Sequence, residues 1–74
     1  MLRLAIKLKE VLKERGITQK QLEVLSGVPQ SKISVMCNNK LQELNMGNIE
    51  KIAHALDIKD ISALLQFEEA ESND

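Results

Sequence analysis

Residues 18 to 39 read TQKQLEVLSGVPQSKISVMCNN, and the punctuation of this stretch decides the fold. Thr18, with Gln21 three residues on, spells a helix-capping box, and Ile17 with Leu22 has the spacing of a hydrophobic staple. A helix is therefore expected from Thr18 to Ser26. Gly27 supplies the left-handed residue that closes it, with Val28 as the apolar residue folding back. Pro29 stands where a new helix can begin, because a proline there loses no intrahelical bond. The second helix runs from Pro29 to about Asn38. On it Ile33, Met36 and Cys37 share one face at spacings of three and four, which makes a buried stripe. Ser31, Ser34, Val35 and Asn38 point the other way, with Gln30 at the exposed start.

Two short helices, a tight glycine turn and a polar second helix make a helix-turn-helix candidate. The residue types on the outward face fit contact with duplex base edges. A Gln can pair bidentately with adenine, a Ser can donate or accept, and a small apolar side chain can touch a thymine methyl. Taken one at a time, Gln30, Ser31 and Ser34 read better as a solvated helix face.

Over about Leu8 to Leu65 the chain resembles the helix-turn-helix domains of the phage Cro and repressor type, the Xre family. The segments that carry the resemblance are LKEVLKERGITQKQL, SGVPQSKIS and IEKIAHALDI, in that order and spacing. The resemblance implies an all-α, five-helix lambda-repressor-like bundle that binds double-stranded DNA with its third helix in the major groove. Gln30, Ser31, Ser34 and Val35 would then meet base edges. Thr18, Gln19, Lys32, Asn38, Asn39 and Lys40 would hold phosphates, Gln19 by resemblance and with help from the positive end of its helix. The loop holding Lys40 and Gln42 would run along a phosphate strand. Phosphate contacts set register and base contacts choose sequence. A domain this small reads few base pairs, so the implied assembly is a homodimer on a palindromic operator. Ile61, Leu65 and Phe67 are its candidate interface. An adaptor or antitoxin-like module that does not read DNA is the alternative.

Three positions depart from the family pattern. Many members carry an Arg seven residues before the Gln of helix two, and a Glu near the end of helix three that pairs with it. Leu12 and Cys37 stand there instead. An apolar pair can replace a buried ion pair without loss, so Leu12 is expected to pack on Cys37 and do the same structural job. Glu23 takes a position that is usually small, and its carboxylate is expected to reach water.

Working outward, a first helix is expected over Leu2 to Arg15, with Leu4, Leu8, Val11 and Leu12 as its stripe and Gly16 as its terminator. Leu2 and Ile6 fall on its far side. Asn39 is the expected left-handed residue after helix three. A fourth helix starts at the cap Asn45, with Met46, Ile49, Ile52, Ala53 and Leu56 facing inward. Asp60 caps a last helix over Ile61 to Phe67. One domain over residues 1–67 is expected, followed by a disordered acidic tail over 68–74.

Composition narrows the function classes. The chain of 74 residues has a net charge of −1, unevenly placed. Residues 1–40 carry eight Lys or Arg and three Glu, which leaves +5, and residues 41–74 carry two Lys and eight acids, which leaves −6. Such a field can turn a positive face to phosphate and its acidic end away. Phe67 is the sole aromatic residue, too few for a stacking platform on single strands. One cysteine excludes an internal disulfide, and as a small hydrophobe Cys37 suits the cytoplasm, the expected location. His54 and Cys37 are far apart, so no metal or other cofactor is expected. No apolar run reaches a membrane span, and MLRLAIKLKE lacks the form of a signal peptide. No nucleophile triad, carboxylate pair or phosphate loop points to an enzyme.

Overall fold

A computed structural model describes residues 1–40 and 43–69. The order is a strand β1 (Leu2–Ile6), four helices α1 (Leu8–Arg15), α2 (Gln19–Ser26), α3 (Gln30–Cys37) and α4 (Met46–Ala55), a 3₁₀ turn (Ile61–Ala63) and a strand β2 (Leu65–Glu69).

The helix-turn-helix forms as its punctuation demands. Thr18 Oγ1 accepts from Gln21 N–H at 3.0 Å, and Gln21 Oε1 accepts from Thr18 N–H at 2.8 Å. Gly27 has φ +78° and its N–H donates to Glu23 O at 2.8 Å. The other three helices end alike, with Gly16, Asn39 and Asp57 in left-handed conformations. In each the next residue folds back to a carbonyl five positions earlier: Ile17 to Leu12, Lys40 to Val35, Ile58 to Ala53.

The helices enclose one core of Ile6, Leu8, Leu12, Leu22, Val28, Ile33, Met36, Cys37, Ile52, Leu56 and Leu64. Leu12 and Cys37 are both buried in it. Helix α2 packs on α3 and α4, and α1 packs on α3. At the far side, an Arg15 guanidinium N–H donates to Leu56 O and ties the end of α1 to the end of α4.

Both ends of the chain depart from the all-α, five-helix expectation. Leu2–Ile6 is a strand, not the first turns of α1, and Leu65–Glu69 is a strand, not the end of a fifth helix. The two pair antiparallel with Ile6 opposite Leu65, Leu4 opposite Phe67 and Leu2 opposite Glu69. In each segment the large apolar residues fall on alternate positions, Leu2, Leu4 and Ile6 in one and Leu65 and Phe67 in the other, which suits a ribbon with one apolar face. Opposite charges then meet: Arg3 lies across from Glu68, Lys7 Nζ pairs with Glu68, and the terminal ammonium pairs with Glu69 at 3.0 Å. The correction reverses two burial assignments. Leu4, expected in the core stripe, is 53% exposed on the ribbon, while Ile6, expected on the far side, is buried.

Glu68 and Glu69, expected in the tail, belong to β2. The rest of the expected acidic tail, and Gln42, lie outside the described residues. Met46 was expected to face inward but is 77% exposed. It opens α4, and side chains of a first helical turn point back past the helix end, beyond the core.

Candidate nucleic-acid interface

Helix α3 has one face in the core and one in solvent. Ile33, Met36 and Cys37 are buried, and Val28 just before the helix is fully enclosed. Gln30, Ser31, Lys32, Asn38 and Lys40 are exposed, while Ser34 and Val35 are half-buried on the flank of that face. All four expected base-reading residues therefore lie on α3, on or beside one continuous open surface.

The turn that aims α3 is held by two side chains that sequence reasoning missed. Ser26 Oγ donates to Leu22 O at 2.7 Å and accepts from Val28 N–H at 3.1 Å, bracketing Gly27. Pro29 occupies the cap position of α3 and gives it no side-chain hydrogen bond. Glu23 supplies one from α2 instead: its Oε2 accepts from Gln30 N–H at 2.8 Å. The carboxylate expected in open water thus sits on the first N–H of α3. A clue existed in the coincidence of an acid at a small-residue position with a proline that cannot cap.

At the start of α2, Thr18 is exposed and Gln19 half-buried. Helix geometry leaves the first N–H groups of α2 without intrahelical acceptors, at the positive end of its dipole. Lys32 and Lys40 add exposed ammonium groups on and beyond α3.

The Asn39 side chain, expected at a phosphate, makes hydrogen bonds within the chain. Its Oδ1 accepts from Ile6 N–H at 2.7 Å and its Nδ2 donates to Ile6 O at 3.2 Å. Both groups lie on the edge of β1 away from β2, so the carboxamide pairs with that edge as a neighbouring strand would. Its side chain is a clamp between α3 and the ribbon. Of the expected interface residues, Ile61 and Phe67 are exposed and Leu65 is half-buried at the base of the ribbon. Leu2 and Leu4 share the face of Phe67 and are also more than half exposed.

Burial raises the pKa of the Cys37 thiol, and the nearby Glu10 carboxylate raises it further, against a smaller lowering by Lys9. The thiol is therefore protonated at neutral pH. Hydrogen bonds from the Ser62 backbone and hydroxyl hold the Asp60 carboxyl below its usual range. Among the described residues no cluster of three or more His, Cys, Asp or Glu could hold a metal ion. No described helix is long and apolar enough to cross a membrane.

The sequence model of one family, described as the Cro/C1-type HTH DNA-binding domain, matches residues 7–70. No curated relative and no solved structure matches the chain.

Proposed function

Because the chain belongs to the Cro/C1-type helix-turn-helix DNA-binding domains, we propose that it is a sequence-specific regulator of transcription that lays α3 in the major groove of duplex DNA. The observation that carries this reading is the division of α3. Its apolar side anchors it in the core, and its polar side, from Gln30 to Asn38, stands open at the end of a rigid turn. A helix held this way can enter a groove without unfolding anything else.

In this reading Gln30, Ser31, Ser34 and Val35 read base edges. Thr18, Gln19, Lys32, Asn38 and Lys40 hold the phosphates on either side. Two copies act together on a palindrome, with half-sites about 34 Å apart. The exposed apolar side chains at the C-terminal end, Phe67 and Ile61, and the half-buried Leu65 form the contact between copies. The ribbon adds Leu4 to that surface, since it lies directly across from Phe67.

A second reading, a protein-interaction module that does not read DNA, draws on α2. Val24 is 78% exposed and Leu25 beside it is more than half exposed, an apolar spot on the outer side of the helix pair. An anisotropy titration against duplex DNA at two salt concentrations separates the readings. A DNA regulator loses affinity steeply with salt, and Gln30→Ala weakens its selected site by about 1–3 kcal/mol while sparing random duplex. Salt-independent or absent binding favours the interaction module.

A further inference from the structure

Glu23 lies on α2 and would pass as a solvated acid, yet its carboxylate holds the backbone of the first residue of α3. We propose that Glu23 is the positioning residue for base readout by Gln30, replacing across the turn the cap that Pro29 cannot supply. The inference rests on the reading of α3 as the helix that enters the groove.

Three observations carry it. First, the cap position of α3 is a proline with φ −57° and ψ +141°, and it makes no side-chain hydrogen bond. The first N–H groups of any helix need an outside acceptor, and most helices find one in a Ser, Thr, Asp or Asn at that position. Second, the acceptor here comes from seven residues upstream, at 2.8 Å from Gln30 N. It is charged, which makes the bond stronger than a neutral cap and sets it at the positive end of the α3 dipole. Third, the bonded N–H belongs to Gln30 itself. The same residue whose side chain must meet a base in a two-bonded, planar fashion has its backbone fixed by Glu23, and bidentate pairing tolerates little angular error.

The arrangement has an electrostatic consequence as well. A helix N-terminus is a ready anion site. At α3 the chain's own carboxylate already fills that place, so a DNA phosphate is repelled from the helix tip. The tip is left to the Gln30 side chain, and phosphate binding falls to the start of α2 and to the lysines. This accounts for an acid at a position where close helix packing favours a small residue: Glu23 is half-buried, with its carboxylate on α3.

The test measures base preference position by position, using wild type, Gln30→Ala, Glu23→Ala, Glu23→Gln and the Glu23→Ala/Gln30→Ala double variant. Duplexes are first selected from a random library and then changed one base pair at a time. Gln30→Ala identifies the position it reads by a loss of about tenfold in preference there. Glu23→Ala is expected to lose preference at that same position by about threefold or more, with the others unchanged. The double variant should be no less selective than Gln30→Ala alone, because two residues acting as a unit are not additive. Glu23→Gln keeps an acceptor without the charge. It should retain the preference and bind random duplex several-fold more tightly. Amide exchange in the absence of DNA gives an independent arm: Gln30 N–H should be protected in wild type and in Glu23→Gln, and unprotected in Glu23→Ala.

Full preference at the Gln30 position in Glu23→Ala would overturn the proposal, as would an equal loss at every position, which marks a general loosening of the fold. An unprotected Gln30 N–H in wild type would overturn it as well. Wild-type protein without salt-dependent duplex binding would remove the reading of α3 itself. Selective wild type with indifferent Glu23 variants would remove the positioning role alone.

Discussion

Replacing Asn39 by alanine and by glycine separates two roles for this residue, the clamp on β1 and a contact with DNA phosphate. In the folded chain the carboxamide makes two hydrogen bonds to Ile6, and the residue sits at φ +53°. Each hydrogen bond contributes about 0.5–1.5 kcal/mol net, so their loss costs about 1–3 kcal/mol and leaves the free edge of β1 unpaired at Ile6. Alanine at a left-handed position costs about 1–2 kcal/mol more, which glycine avoids. Asn39→Ala should therefore destabilise by about 2–5 kcal/mol and Asn39→Gly by about 1–3 kcal/mol. In a domain of this size each kcal/mol lowers the melting temperature by about 4–8 °C. Urea titration followed by circular dichroism reads both. Duplex affinity, measured at a temperature where all variants are folded, should be unchanged in Asn39→Gly. The reasoning is refuted if Asn39→Gly is as stable as wild type. It is refuted equally if affinity for duplex falls several-fold while stability is unchanged, because that result marks a lost phosphate contact.

Thr18→Ala breaks the capping box of α2 and should cost about 0.5–2 kcal/mol in the same urea assay, with Thr18→Ser retaining most of it. Ile33→Ala empties a fully enclosed site under α3 and should cost about 2–5 kcal/mol, enough to unfold a domain of marginal stability. Cys37 should react with a thiol reagent at neutral pH far more slowly in the native chain than in urea, since its folded pKa is raised. That preference for the neutral thiol stabilises the fold fully below the unfolded pKa and is lost as pH rises toward the folded value, so native stability should decline in alkali. Leu4→Ser with Phe67→Ser changes two exposed positions and should leave the melting temperature within a few degrees of wild type. If the ribbon joins two copies, sedimentation should show that pair of changes shifting dimer to monomer, and binding to a palindrome should weaken more than binding to a half-site.

Much of the candidate interface could be read from the chain because its determinants are short-range. The box at Thr18 and Gln21, the glycine at 27, the caps at Asn45 and Asp60, and the buried triplet Ile33, Met36 and Cys37 all act within a few residues of themselves. Two side chains whose bonds are not legible in the sequence, Glu23 and Asn39, are polar and at least partly exposed. Nothing local distinguishes a carboxylate in water from one on a backbone N–H seven residues away, or a free amide from one bound to a residue 33 positions distant.

By itself, then, the sequence determined the helix-turn-helix, its turn, the buried side of α3 and the side left open, because helix periodicity and capping are decided by neighbours along the chain. Only the tertiary structure decided the fate of the two ends. Leu2–Ile6 and Leu65–Glu69 each carry enough apolar residues to extend a helix, and a lone strand has no partner for its backbone groups. They become strands because the helical bundle brings them side by side, where Ile6 and Leu65 close the core and Asn39 holds the outer edge of β1. That outcome depends on a pairing across more than fifty residues, which no local pattern contains.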